Sequence, residues 1–433
     1  LPERDALETA LERRLREAQA ARLPSVAAGV VRKGEPIWSA AVGLADVEAG
    51  VEATSELQYR IGSITKTFTA VAIMRLRDEG KLDLDDRLEQ HVPGIAQGSP
   101  TIRRMLAHLS GLQREAGEMW VTGEAPTVDE LLDAMNEYEH VLPPARAHHY
   151  SNLAYGLLGE VVARCSGVAY TDYVEQHLFG PLGLSRTTWL EQPPAAEGYL
   201  VDEYAGTAYR QPHTDIGGIA SMGQLWSTVA DLCRWAAFLA AGDERVLPAS
   251  TLDEMWFPQV MRDPDDWSRG WGLGLELVTR NGRVYGGHGG AMPGFLAGLV
   301  IHRGSGVGAV TLTNAGTRGA MSSLALELVD LTLEHRPDEL EPWRPESEPP
   351  PEIAALLGVW WGEGEPFAFR WRDGKLQADP LDAPAWVKPA VFEQIGEREY
   401  RVVSGYERGE RLRVEDGRLV WAGYPFTRDQ RST

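Results

Sequence analysis

63-SITKTFTAVAIMRLRDEG-80 reads as one helix with its chemistry at the start. Ile64, Phe68, Val71, Ala72 and Leu76 recur at helical spacing from Ser63 to Glu79, and Gly80 stops the pattern. Ser63 and Lys66 stand one turn apart on the same face. A helix N-terminus offers unpaired N–H groups and a positive partial charge, both useful to an oxyanion forming beside the serine. Among Ile64, Phe68 and Val71 a buried ammonium is costly. Its pKa should fall, so that a neutral amine can take the Ser63 proton. The bland alternative is a coincidental Ser-x-x-Lys spacing, in a chain with only five lysines.

Working outward, residues 3 to 22 carry Leu7, Leu11, Leu15 and Ala18 at helical spacing and predict an amphipathic opening helix. Ser25 to Val31 and Ile37 to Val42 read as short strands around the turn Lys33-Gly34-Glu35-Pro36. Helical patterns follow at 101 to 109, 127 to 138, 151 to 165, 170 to 178 and 227 to 241. From about residue 270 the period changes to two. Segments 271 to 279, 283 to 287, 295 to 302 and 307 to 313 predict strands joined by tight turns, and 317 to 335 a closing helix.

Residues 1–335 therefore read as one α+β domain, an antiparallel sheet flanked by helices with an all-helical insertion between its halves. The proline-rich, acidic stretch 336–351 reads as a semi-rigid linker. In 352–433, short alternating runs predict a small β-barrel: Val359 to Trp361, Phe367 to Trp371, Tyr400 to Val403, Leu412 to Val414 and Leu419 to Trp421.

Two further stretches carry chemistry. His149-Tyr150-Ser151-Asn152 precedes the apolar run Leu153 to Ala163. A tyrosine there can pass a proton to a leaving group, and Asn152 can hold a substrate amide through donor and acceptor together. A capping Ser/Asn pair beside a half-buried tyrosine is the bland reading. Gly286-Gly287-His288-Gly289-Gly290-Ala291 falls at the end of one predicted strand and the start of the next. Four glycines suit a backbone against which a substrate lies as an added strand. His288 can steer the Tyr150 hydroxyl or a substrate carboxylate; a glycine-rich hairpin with a surface histidine is the alternative.

In this order and spacing the three motifs resemble the serine β-lactamase and penicillin-binding protein superfamily. The likeness is to class C β-lactamases and their relatives: D-aminopeptidases, carboxypeptidases, CubicO-type peptidases and family VIII esterases. It spans about residues 5 to 335, through 101-TIRRMLAHLSGL-112, 150-YSNLAYGLLGEVVA-163 and 286-GGHGGAMPGF-295. The resemblance implies Ser63 as nucleophile, Lys66 as base or relay, Tyr150 as general acid/base and Asn152 as an amide ligand. It also implies an oxyanion hole of the Ser63 and Ala291 N–H groups, with Gly289 and Gly290 along the substrate. Penicillin-hydrolysing relatives carry lysine where this chain has His288, a weaker carboxylate anchor at neutral pH. The implied substrate is thus a small molecule or short peptide, preferably with a D-residue at the scissile bond, then a short-chain ester, then a β-lactam. The C-terminal domain resembles lipocalin-like extensions of some of those peptidases.

Composition excludes other classes. A net charge of -21 repels nucleic acid. No apolar run reaches the roughly 20 residues of a membrane span. Cys165 and Cys233 sit in apolar helical stretches without a CxxC pair and read as small buried hydrophobes. His148 and His149 lack H-E-x-x-H spacing or a cysteine cluster, so neither metal nor cofactor is expected. His108 reads as structural. Trp120, Trp226 and Trp271 read as core aromatics with pocket lining as the alternative. A chain starting at Leu1 fits a soluble protein, cytoplasmic or exported after loss of an N-terminal segment, and leaves a homo-oligomer open.

Overall fold

Nine antiparallel strands make the main sheet of a computed structural model that describes residues 5–317, 319–338, 342–384 and 386–430. In chain order these are β1 (Ser25–Arg32), β2 (Glu35–Asp46), β3 (Val51–Glu52), β4 (Val260–Met261), β5 (Arg269–Trp271), β6 (Glu276–Arg280), β7 (Arg283–Met292), β8 (Phe295–His302) and β9 (Val307–Thr313). Across the sheet they lie β3-β2-β1-β9-β8-β7-β6-β5-β4. Strands from the first and last parts of residues 1–338 thus meet at β1–β9, where Val26 faces Thr313.

β1 is buried on both faces, and the period of two sorts its side chains. Val26, Ala28 and Val30 pack with Leu7, Leu11 and Leu15 of α1 (Ala6–Ala20) and with a C-terminal helix, Met321–His335, through Leu324 and Leu328. Ala27 and Val31 enter the opposite core, with α2 (Thr65–Asp78) and the later helices. The predicted amphipathic α2 is in fact enclosed: every residue from Thr65 to Met74 is buried. Its polar residues bond inward. Thr65 Oγ1 donates to Gly62 O, Thr67 Oγ1 to Ile64 O and Thr69 Oγ1 to Ser221 O. Threonines satisfied this way make a core helix look half-exposed in sequence.

Two strand readings change. The 271-to-279 segment splits into β5 and β6, because Gly274 turns the chain at φ +81° where a Cβ would stand 2.2 Å from Ala70 Cβ of α2. Conversely, Gly286–Ala291 does not separate two strands but lies wholly inside β7. The glycines make room for protein: added Cβ atoms would meet the Trp256 ring at Gly286, Leu299 O at Gly287 and Ile61 O at Gly290, the last two at 1.9 Å. The helical segments 127 to 138 and 170 to 178 also divide, into Val128–Asp133 with a 3₁₀ turn and Tyr170–Val174 with a π turn.

We expect Gly290→Ala to destabilise the catalytic unit by about 1–3 kcal/mol, read as a lower denaturation midpoint. It should also cut turnover, since Ile61 precedes the Ser63 turn. An unshifted midpoint with full activity would contradict the close approach of β7 to Ile61.

The chain divides into two compact units, Leu1–Asp338 and Glu339–Thr433. The second is a closed eight-stranded barrel running from Gly358–Gly362 to Tyr424–Thr427. Five of its strands were legible as alternation. Lys375–Pro380, Ala390–Gly396 and Tyr424–Thr427 were not; Pro380 and Gly396 end the first two and Pro425 lies inside the third. Trp360, Phe367, Phe369, Phe392, Trp421 and Phe426 fill its interior. Among the described residues no helix is long and apolar enough to cross a membrane.

Candidate active site

A 3₁₀ turn, Gly62–Ile64, leads into α2 and carries Ser63. Gly62 sits at φ +51°, and a Cβ there would stand 2.6 Å from Ala291 N. Only glycine lets the turn lie this close to β7, and the contact brings the Ser63 and Ala291 backbones together. β6 stops pairing at Glu276↔Gly287, so the β7 edge from His288 to Met292 is unpaired by β6.

Lys66 is wholly buried beneath the serine. Its Nζ lies 2.7 Å from Asn152 Oδ1, 2.6 Å from Met222 O and 3.2 Å from Ser63 Oγ. The first two partners can only accept. A neutral amine has two hydrogens, so with both committed its lone pair faces the Ser63 hydroxyl. Burial drives the Lys66 pKa well below its ordinary value; the Glu115 carboxylate opposes that shift and Arg114 adds to it.

Asn152 is the first residue of α3 (Asn152–Ser166), whose N-cap is Ser151. Both ends of its amide are engaged: Oδ1 on Lys66, and Nδ2 donating to the two Glu115 oxygens at 2.8 and 3.0 Å. Trp120 Nε1 also donates to Glu115, at 2.9 Å. Because a carboxylate only accepts, it fixes which way the Asn152 amide points.

The half-buried Tyr150 ring covers Lys66, with Nζ 5.0 Å from its centroid, and stacks on His108 at 4.2 Å. Burial raises its phenol well above the ordinary tyrosine value, and a hydrogen bond with Ser63 opposes this. His288 Nδ1 lies 2.5 Å from Gly289 O, which requires the N–H on Nδ1. Burial and the nearby Lys66 bring the His288 pKa down to about 3, so the ring is neutral. Ser63, Tyr150, Asn152, His288, Gly289, Gly290 and Ala291 all line one cleft of about 710 Å³, with Lys66 just below it.

Trp120 and Trp271 line the same cleft, whereas Trp226 packs in the core against Phe295. Two more residues support the site: His108, read from the sequence as structural, and Glu115, which the sequence reading missed. His108 is fully buried behind Tyr150, where its Nδ1 accepts the Ser151 N–H at 3.1 Å. Its signal was present in 101-TIRRMLAHLSGL-112, read there as structural. Glu115 had none: one acid in an acidic chain.

The sequence profile of the β-lactamase family matches residues 11–334. The chain belongs to the β-lactamase family. A profile described as a domain of unknown function (DUF7586) matches residues 349–428. Penicillin-binding protein 4 of Amycolatopsis lactamdurans is 30% identical over 366 residues, covering 79% of this β-lactamase-family chain and 94% of that protein. Beta-lactamase-like protein 2 of Dictyostelium discoideum is 28% identical over 56% of the chain. That match spans only 47% of the Dictyostelium protein, so the chain covers about half of that relative's length.

Among solved structures, the octameric penicillin-binding protein homologue from Pyrococcus abyssi aligns with a TM-score of 0.69 at 25% identity, covering 96% of this chain and 99% of that one. A D-stereospecific amidohydrolase from Streptomyces sp. gives 0.64 at 27%, covering 74% and 97%. Family and relatives together make the chain a serine hydrolase.

Proposed function

We propose that the chain hydrolyses small D-amino-acid-containing peptides or amides through an acyl-enzyme on Ser63. The observation that carries this is the buried Lys66 amine, with two hydrogens committed to carbonyl acceptors and its remaining direction on Ser63 Oγ. The substrate carbonyl enters between the Ser63 and Ala291 N–H groups, two donors worth several kcal/mol as the oxyanion develops, about 3 for one of them. Lys66 takes the Ser63 proton, since burial makes the amine ready to be neutral. Tyr150, held protonated by burial, passes a proton to the leaving nitrogen and draws one from Lys66. The two titrate as a pair. Water then clears the acyl group.

The Streptomyces amidohydrolase and the penicillin-binding relatives support an amide substrate. Short-chain esters rank second, as their better leaving groups ask less of Tyr150. The barrel interior, filled with aromatic side chains, argues against the second unit as the working ligand carrier. A panel of p-nitrophenyl acetate, D-Ala p-nitroanilide, a D-Ala-D-Ala peptide and nitrocefin tests the reading. We expect the D-alanine amide or peptide to give the highest kcat/KM, and a preference for nitrocefin would overturn it.

β-Lactams rank third because a neutral His288 is a poor partner for their carboxylate. His288→Lys would add one charge-assisted hydrogen bond, so nitrocefin acylation should rise roughly tenfold. An unchanged acylation rate removes the anchoring argument.

A further inference from the structure

Away from the cleft, the fold wires a second nucleophile to a base. Cys165 lies in the last turn of α3, and His91 ends the short helix Leu88–His91. Cys165 Sγ is 3.3 Å from His91 Nδ1, and His91 Nε2 is 3.0 Å from Asp86 Oδ2. Asp86 is itself fixed, accepting the Asp83 N–H at 2.8 Å and a Gln90 Nε2 hydrogen at 3.3 Å. The Asp83 N–H and the His91 contact hold its carboxyl below the usual range. An ionised carboxylate at Nε2 demands a hydrogen there, so Nδ1 is the ring nitrogen able to accept from the thiol. The sequence reads Cys165 as a small buried hydrophobe; it is half-buried instead, and its contact with His91 joins segments 74 residues apart.

The charged groups facing the thiol are Asp86 and Lys81. Burial and Asp86 push the Cys165 thiol up, and Lys81 opposes them. The resting group is therefore a thiol, and His91 serves it as a general base during attack. Cys233 is the internal contrast, buried in the helix Val229–Ala241 with its thiol pushed up to about 12.

We propose that Cys165, with His91 and Asp86, is a modification site for small hydroperoxides, separate from the Ser63 cleft. Sγ attacks one peroxide oxygen, forming an S–O bond as the O–O bond breaks. The thiol proton moves to His91 Nδ1 and on to the departing oxygen. Sulfur is oxidised by two electrons to a sulfenic acid, and the peroxide is reduced to an alcohol or water. Cys165 is half-buried as a residue, and a hydroperoxide is among the smallest reagents that oxidise a thiol.

The test uses the full-length folded protein. Iodoacetamide alkylation is followed by peptide mass spectrometry from pH 5.5 to 9 in wild type, His91→Gln and Asp86→Asn, with Cys165→Ser as the site control. Wild-type Cys165 should react about tenfold faster at pH 7 than in His91→Gln, whose rate should climb only as the bare thiol ionises. Asp86→Asn keeps the ring but frees its tautomer, so its rate should fall between the two. If His91→Gln does not fold, Asp86→Asn carries the comparison. Hydrogen peroxide followed by dimedone should tag Cys165 and leave Cys233 untouched. Equal alkylation rates in wild type and the variants, or labelling of Cys165 no faster than Cys233, overturns the relay. Absence of the dimedone tag overturns the choice of hydroperoxide.

Discussion

Ser63→Ala should lower kcat/KM on every substrate the protein turns over by on the order of 10⁴-fold or more, while leaving the denaturation midpoint close to wild type. The side chain lies on a short turn at the cleft floor and supports no core packing, so little stability rides on it. What disappears is the bond to the acyl group, and with it the purpose of the Lys66 lone pair. A fluorophosphonate should add one adduct to the wild-type chain, mapped to Ser63, and none to the variant. Turnover in Ser63→Ala close to the wild-type rate would remove the nucleophile assignment and leave only the fold likeness. The residual rate is informative as well. Backbone donors at Ser63 and Ala291 persist in the variant, so catalysis above the uncatalysed reaction should remain measurable with an activated ester.

How much of this was legible in sequence follows from the range of each contact. Ser63, on the 3₁₀ turn, and Lys66, in the first turn of α2, are three residues apart, so local helical geometry places them together. Tyr150 and Asn152 flank a helix start, and β7 carries His288 to Ala291 on consecutive positions. Each motif is local, and the order of the three completed the pattern. By contrast, Glu115 reaches Asn152 across 37 residues and His108 reaches Ser151 across 43. No spacing rule announces such pairs.

The same division separates strands that were found from strands that were mistaken. β8 and β9 matched their predicted bounds, being almost wholly buried apolar runs ended by tight turns. The β7 glycines read as backbone for a substrate to lie against; three of them also have close protein neighbours, Trp256, Leu299 and Ile61, that the sequence does not reveal. Glycine reports close approach without naming what approaches.

Lys66→Met should cost between about 10² and 10⁴ in kcat/KM, the range that a positioned general base supplies. Lys66→Arg separates two ways in which the amine could act. A guanidinium keeps its proton at any pH the fold tolerates, so it preserves charge and destroys basicity. If Lys66 works as a base, the arginine variant is as impaired as the methionine variant; if it works as a cation, arginine restores much of the rate. The pH profile gives an independent reading. Burial depresses the Lys66 pKa, so the acid limb of kcat/KM should lie well below the ordinary lysine value of 10.5, with activity appearing as the amine loses its proton. Glu115 opposes that depression. Glu115→Gln keeps an acceptor for Asn152 Nδ2 but removes the charge, so the amine should release its proton more readily and the acid limb should move to lower pH. A limb that stays in place when Glu115 is neutralised belongs to another group, and Lys66 would then lose its claim to the first proton.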